Sequence, residues 1–226
     1  MFLNLRFRAN LICSGDDGEQ GFRTGQNDRE RNTLVARMAW HPDAKNQQEL
    51  GFSVLAGDVR NHAGQDTRRN APAVRYQAPI GRFKMMLQAL RYRYKTSHEA
   101  TQTYGGLDPN SFVMVGGFGY PYPVASKCDI YIVNLSRDIP GSIGPFSGFR
   151  VYNDYSVLHE RVSGYRRSVQ NVTGLSFSAG KWLFYAYLMM GKHHPYMSPD
   201  FGGLASTSRD HPGHSRRINL QAGYDF

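Results

Sequence analysis

The sequence predicts an all-β fold, an antiparallel transmembrane β-barrel of about ten strands, and three observations predict it. The last ten residues alternate without exception, with Ile218, Leu220, Ala222, Tyr224 and Phe226 in one register and Arg217, Asn219, Gln221, Gly223 and Asp225 in the other. Period two gives a strand with two unlike faces, and about ten residues is the length a tilted strand needs to cross a hydrocarbon layer. The links between such segments alternate between long polar stretches and short turns, the rhythm of a barrel with long loops on one side of a membrane and tight turns on the other. Mean hydropathy is −0.52, and the longest apolar run, Trp182 to Met190, falls far short of the ~18 residues of a membrane helix. A helical membrane protein is excluded, whereas a spanning strand meets lipid with only every second residue and keeps hydropathy low.

The first strand, Phe2 to Ile12, sets Leu3, Leu5, Phe7, Ala9 and Leu11 against Asn4, Arg6, Arg8 and Asn10. A polar loop, Ser14 to Asn32, leads to strand two, Thr33 to Trp40, in which Leu34, Ala36, Met38 and Trp40 oppose Val35, Arg37 and Ala39. Pro42 and Asp43 turn the chain into strand three, Leu50 to Gly57, and Asp58 to Asn70 is again a polar loop. Strand four, Ala73 to Ala78, opposes Val74 and Tyr76 to Arg75 and Gln77, and Pro79-Ile80-Gly81 reverses it into strand five, Phe83 to Tyr94. There the apolar register passes from Phe83, Met85, Leu87 and Ala89 to Tyr92 and Tyr94, with Arg91 and Arg93 between them, and a β-bulge near Leu90 would account for the switch.

Lys95 to Lys127 then reads as one long outer loop. Ser111 to Tyr120 inside it is strand-like in composition, but a spanning strand there would break the rhythm, so it is placed in a loop folded inward over a pore; an eleven-strand count is the alternative. Strands six to nine are Cys128 to Arg137, Phe149 to Leu158, Gln170 to Ala179 and Trp182 to Met190, with Gly191 to Arg216 as the last outer loop. The chain, residues 1 to 226, is thus one barrel domain of ten strands with both ends on the side of the short turns.

A final amphipathic strand that ends in Phe226, with Tyr224 two before it, resembles the terminal strand of Gram-negative outer-membrane barrels. That resemblance implies an integral protein of the cell outer membrane, in contact with its lipid, whose Tyr224 and Phe226 signal to the barrel-assembly machinery. The stretches Phe149 to Glu160 (FRVYNDYSVLHE), Gln170 to Lys181 (QNVTGLSFSAGK) and Gly191 to Tyr196 (GKHHPY) are similar to the C-terminal part of porins of the phosphate-selective porin O and P group. This implies a passive channel and a parent barrel of about sixteen strands, and it allows a homotrimer. No signal peptide is visible, and Met1 to Ile12 reads as a strand, so the chain is expected to be the C-terminal portion of a longer porin.

The formal charge of +9 and pI near 9.7 first point to a polyanion partner. The basic residues stand singly inside strands, however, which fits a charged interior better than a nucleic-acid surface. If Leu3, Leu5 and Phe7 face lipid, Arg6 and Arg8 face the lumen, and the same logic sends Arg37, Arg75, Arg150 and Arg217 inward. The opposite assignment would set each arginine against hydrocarbon at ~2–4 kcal/mol near the midplane. Asp154 and Asp225 are the acids placed on that inner face, so these six arginines would line a weakly anion-preferring pore for small hydrophilic anions.

Two other classes compete: a soluble basic β-protein that binds a polyanion, and an outer-membrane barrel enzyme with a rim site drawn from Ser156, His159, Glu160, Asp210 and His211. A channel needs no catalytic residue, cofactor or metal, and none is expected. His193, His194, His211 and His214 share a loop without a cysteine or carboxylate at ligand spacing, and read as solvated. Gly116, Gly117 and Gly119 lack the helix with Lys-Ser or Lys-Thr that a phosphate cradle requires, and read as flexible loop. Cys13 and Cys128 lie five strands apart and are expected as free thiols.

Overall fold

A computed structural model describes residues 5–12, 29–42, 47–60, 65–95, 107–117, 120–194, 197 and 214–225, with side chains described except in 5–12, 29–30, 114–117 and 120–123. Among the described residues the chain forms strands and no helix: β1 (Leu5–Ile12), β2 (Arg29–Trp40), β3 (Glu49–Arg60), β4 (Asp66–Ile80), β5 (Phe83–Tyr94), β6 (Phe112–Gly117), β7 (Tyr120–Ala125), β8 (Lys127–Asp138), β9 (Ser147–Glu160), β10 (Ser168–Ala179), β11 (Trp182–Lys192) and β12 (His214–Tyr224). Ten of them make one antiparallel sheet in the order β1-β2-β3-β4-β5-β8-β9-β10-β11-β12. The ten strands expected from the alternation are these ten. The segment Ser111–Tyr120 instead enters a separate hairpin, β6–β7, within the connection from β5 to β8. Gly116 and Gly117 are therefore strand residues, while Gly119 lies outside the described residues. Gly81 and Gly180 close the tightest turns with φ of 58°, the left-handed region where a Cβ is costly.

Cross-strand partners share a face, so the register sorts the side chains. Trp40, Leu50, Tyr76, Leu87, Val133 and Tyr155 form one row, and Met38, Phe52, Val74, Ala89 and Tyr131 the next. Large apolar side chains left exposed within the strands all lie on this face except Leu183 and Tyr185. One end of the face is closed by a charged row, Arg91, Asp129 and Arg161; the other by an aromatic cluster of Phe146, Phe149, Phe177, Phe184, Trp182 and Tyr224. Along β5 the apolar stretch from Phe83 to Arg91 measures roughly 27 Å at ~3.4 Å per residue, comparable to the ~25 Å apolar band of an outer-membrane barrel. Asn153, Asn171 and Thr173 interrupt the belt on β9 and β10, and they satisfy one another: Asn153 Nδ2 donates to Asn171 Oδ1 at 3.1 Å and to Thr173 Oγ1 at 2.8 Å.

Two expectations are corrected. The strands on the long-loop side extend further than the alternation indicated: β2 begins at Arg29, and most of Asp58–Asn70 belongs to β3 and β4. Polar contacts hold these extensions, with Arg60 donating to both Asp66 oxygens at 2.8 Å and Thr67 Oγ1 to the Val59 carbonyl at 3.0 Å. Two-faced alternation marks only the part of a strand that has an apolar side. The β5 register runs unbroken through Leu90, with Ala73↔Leu90 and Leu90↔Ile130, so there is no bulge there. The faces exchange polarity instead: Tyr92 and its partner Cys128 turn to a buried interior under the hairpin base, and Arg91 and Arg93 take the outer face. A register shift lies between Arg31 and Leu34, where Asn32 takes φ 46°.

Among the described residues no pairing joins β1 to β12, so the sheet is open, and Ile218 and Leu220 on its β12 edge are 79% and 76% exposed. A cylinder of about ten strands has an interior narrow enough to be filled by side chains. The polar face here carries Arg37, Arg75, Tyr152 and Tyr187 and is covered at one end by folded-in chain.

On that face the Tyr152 ring of β9 lies across Gly174 of β10, and a Cβ on Gly174 would collide with it. Gly174→Val should therefore lower stability by about 1–3 kcal/mol, as overpacking does. Pairing it with Tyr152→Ala should recover part of that loss, read from urea unfolding midpoints in detergent.

Candidate pore wall

The polar face is built by alternate residues of the same strands. Arg37 of β2 and Arg75 of β4 approach across Gly51 of β3: a Cβ there would sit 3.7 Å from Arg37 Nη2 and 3.8 Å from Arg75 Cβ. Arg37 Nη2 donates to Glu49 Oε1 at 2.6 Å. Arg75 Nη2 donates to the neutral Gln77 Oε1 at 2.6 Å, its Nε is buried without a hydrogen bond, and among the described residues it forms no ion pair. Arg150 Nε donates to Asp138 Oδ1 at 2.5 Å, and Lys84 Nζ reaches Asp138 Oδ2 at 3.1 Å. Arg217 is exposed on β12, opposite Met189. The backbones of Arg6 and Arg8 pair with Ala39 and Arg37; their side chains lie outside the described residues.

Arg37, Arg75, Arg150 and Arg217 thus share one face, as the alternation indicated. The acids on that face were undercounted. Glu49, Asp138 and Glu160 join Asp154 within the strands, and Asp225 follows directly after β12, because an acid at the end of a strand carries no alternation to mark its side. Among the described strand side chains of this face six cations (Arg37, Arg69, Arg75, Lys84, Arg150 and Arg217) stand against the four strand acids, with Arg37 matched by Glu49 and with Arg150 and Lys84 sharing Asp138. Asp154 accepts a hydrogen bond from Asn134, and Tyr187 accepts from Asn219 and Gln221.

At the long-loop end the face is packed. The chain bends at Ser126, whose carbonyl accepts from Tyr94 N at 2.8 Å and whose N–H donates to the Ser111 carbonyl at 2.8 Å. This swings the β6–β7 hairpin off the sheet, and Ser111, Phe112, Val113, Ala125, Ser126 and Cys128 are all buried at its base. Nearby, Ser168 Oγ lies 2.7 Å from Glu160 Oε1 and 2.6 Å from the His193 carbonyl. A hydroxyl has one proton and a carbonyl only accepts, so both contacts are hydrogen bonds only if the Glu160 carboxyl donates. Its other oxygen is buried without a hydrogen bond.

His193 and His194 are buried, contrary to the expectation of solvated loop histidines. The end of β11 folds onto the polar face, His193 Nδ1 meets the Arg167 carbonyl at 3.2 Å, and Met197 N donates to the His194 carbonyl at 3.1 Å. Met197 fills the space above Gly191, where a Cβ would be 2.7 Å from its sulfur. His211 lies outside the described residues, and among the described residues no group of three metal-ligating side chains forms. Ser156 and His159, separated by three positions on β9, point to opposite faces, so the sheet does not bring them together. Asp210 also lies outside the described residues, as do Cys13 and Phe226; Cys128 is a buried free thiol. Tyr224 lies in β12, with its ring 5.0 Å from that of Trp182.

Ser168→Ala should cost about 1–3 kcal/mol, because it strands a buried carboxyl and a buried carbonyl. The segment around His193 should then be cut faster in limited proteolysis. Burial lowers the His194 imidazole to about 4. The undocked segment takes up a proton at higher pH than the docked one, so docking is fully stable above a pH of about 6.5 and weakens as pH falls toward 4. Cleavage near His194 should accelerate over that window, and His194→Gln should flatten the dependence.

No protein-family model, no curated protein and no solved structure matches this chain.

Proposed function

We propose that this chain forms the wall of a transmembrane β-barrel channel in a Gram-negative outer membrane, a porin of the O and P type that passes small hydrophilic anions by diffusion. The observation that carries the reading is the division of one continuous antiparallel sheet into an apolar belt, bounded by a charged row and an aromatic cluster, and an opposite face lined with arginines, amides and tyrosines. A soluble sheet buries its apolar face against a second layer. Here the apolar side chains of that face stay exposed, as lipid contact requires.

In this reading the polar face lines the water-filled lumen, the β6–β7 hairpin and the folded end of β11 narrow it at the outer end, and Tyr224 with Phe226 presents the signal to the barrel-assembly machinery. The sheet would form part of a larger barrel, with a homotrimer as the assembled form. Conduction then depends on a hydrated pore and its fixed charge, with no catalytic step. Screening over ~8 Å at physiological salt keeps each wall charge local, which gives anion preference without exclusion of cations.

Arg37 and Arg150 contribute little in this scheme, since each faces a carboxylate, while Arg75 and Arg217 carry unmatched charge. In planar bilayers under a potassium chloride gradient the intact channel should show an anion-preferring reversal potential. Arg75→Gln should move it toward zero by more than Arg37→Gln does, and Glu49→Gln should move it the other way by releasing Arg37. Cation preference in the unaltered channel would remove the charge assignment. Release of the protein from membranes by carbonate washing would remove the barrel itself.

A further inference from the structure

The apolar face contains a groove of about 320 Å³. Phe52, Pro72 and Val74 form one wall and Tyr131 the other, Ala89 of β5 is the floor, and Arg91 with Asp129 closes the head. The register explains its shape. Phe52, Val74, Ala89 and Tyr131 are successive members of one cross-strand row, and the single small residue leaves a notch one strand wide.

The head of the groove is cationic. Asp129, only 7% exposed at its side chain, accepts from Arg91 Nε at 2.5 Å and Nη2 at 3.0 Å and from Arg161 Nη1 at 2.9 Å. Two guanidinium groups thus share one carboxylate, and the cluster keeps one net positive charge. Arg91 and Arg161 remain 59% and 50% exposed, and each has N–H donors beyond those given to Asp129. The next pair along the two strands is Arg93 with Lys127, both on the same face and both basic. These cations lie on the opposite face from the arginines of the candidate pore wall, so a solute in the lumen does not meet them.

We infer that this groove is a binding site for one anionic, phosphate-bearing lipid, its acyl chain over Ala89 between Val74 and Tyr131 and its phosphate on Arg91 and Arg161. The inference rests on the proposed insertion in a membrane. Three features choose the occupant: the walls are apolar, the groove opens on the exposed belt, and the positive head lies at the boundary of that belt, where phosphates of a lipid leaflet would stand. Asp129 is a positioning residue that fixes both guanidinium planes, and a planar fork suits two phosphate oxygens.

The test uses the detergent-purified protein and native mass spectrometry with short-chain phosphatidylglycerol, phosphatidylcholine of the same chain length, and inorganic phosphate. Phosphatidylglycerol should bind about tenfold more tightly than phosphatidylcholine, the scale of one charge-assisted contact. Arg161→Gln, which leaves the Arg91–Asp129 fork intact, should abolish most of that preference. Ala89→Trp should fill the notch and weaken both lipids. Equal binding of the two lipids, or unchanged binding in Ala89→Trp, overturns the site while leaving the barrel reading intact. Displacement of phosphatidylglycerol by an equal concentration of inorganic phosphate also overturns it, in favour of a free-anion site. A chain that stays soluble without detergent and does not sediment with vesicles removes the membrane reading and this site together.

Discussion

The hydrogen-bond ladder that runs without a gap from β1 to β12 is the constraint on which the rest of the molecule depends. It bonds backbone groups strand to strand, and it locks the parity of every side chain from one strand to the next. A slip of one residue at any pair would carry the arginines of one strand into the apolar row of its neighbour. The belt, the polar face and the tyrosine over Gly174 are therefore consequences of one register. Local chemistry defends that register at the turns, through Gly81 and Gly180, and at the outer ends, through the Arg60–Asp66 fork.

The fold was legible where the chain has two unlike sides. In β12 each apolar residue from Ile218 to Tyr224 is followed by a polar or small one, and in β2 Leu34, Ala36, Met38 and Trp40 alternate with Val35, Arg37 and Ala39; both patterns fall within observed strands, which begin earlier, at His214 and Arg29. The pattern failed where both sides meet similar surroundings. Asp58 to Arg60 and Asp66 to Arg68 are sheet, yet apart from the buried Val59 their side chains are polar, and little in composition separates them from a loop. The β5 end was misread for a related reason: its pattern inverted, and a change of environment imitates a change of register. Tyr92 and Arg93 keep their places in the ladder while the surroundings of the two faces are exchanged.

The candidate wall was legible as a set of arginines and illegible as a charge distribution. Parity placed Arg37, Arg75, Arg150 and Arg217 together, but their partners come from other strands or from strand ends: Glu49 lies 12 positions from Arg37, and Asp138 lies 12 from Arg150. The Glu160, Ser168 and His193 chain spans β9, β10 and the end of β11, so it exists only once three strands are in register. Its one signal in the sequence was a carboxylate directly after a strand, which is too common to single out.

The triad of Asn153, Asn171 and Thr173 sits in the belt as a closed circuit, each member serving as a partner to another. Its cost in an apolar setting is low only while all three are present, since an amide left without its neighbour carries the full penalty of desolvation. The three positions are thus energetically tied to one another. A lineage could lose the circuit by passing to three aliphatic residues, but each single step on that path is worse than either end. Such a patch persists through the barrier between two acceptable solutions, and its presence requires no contribution to transport.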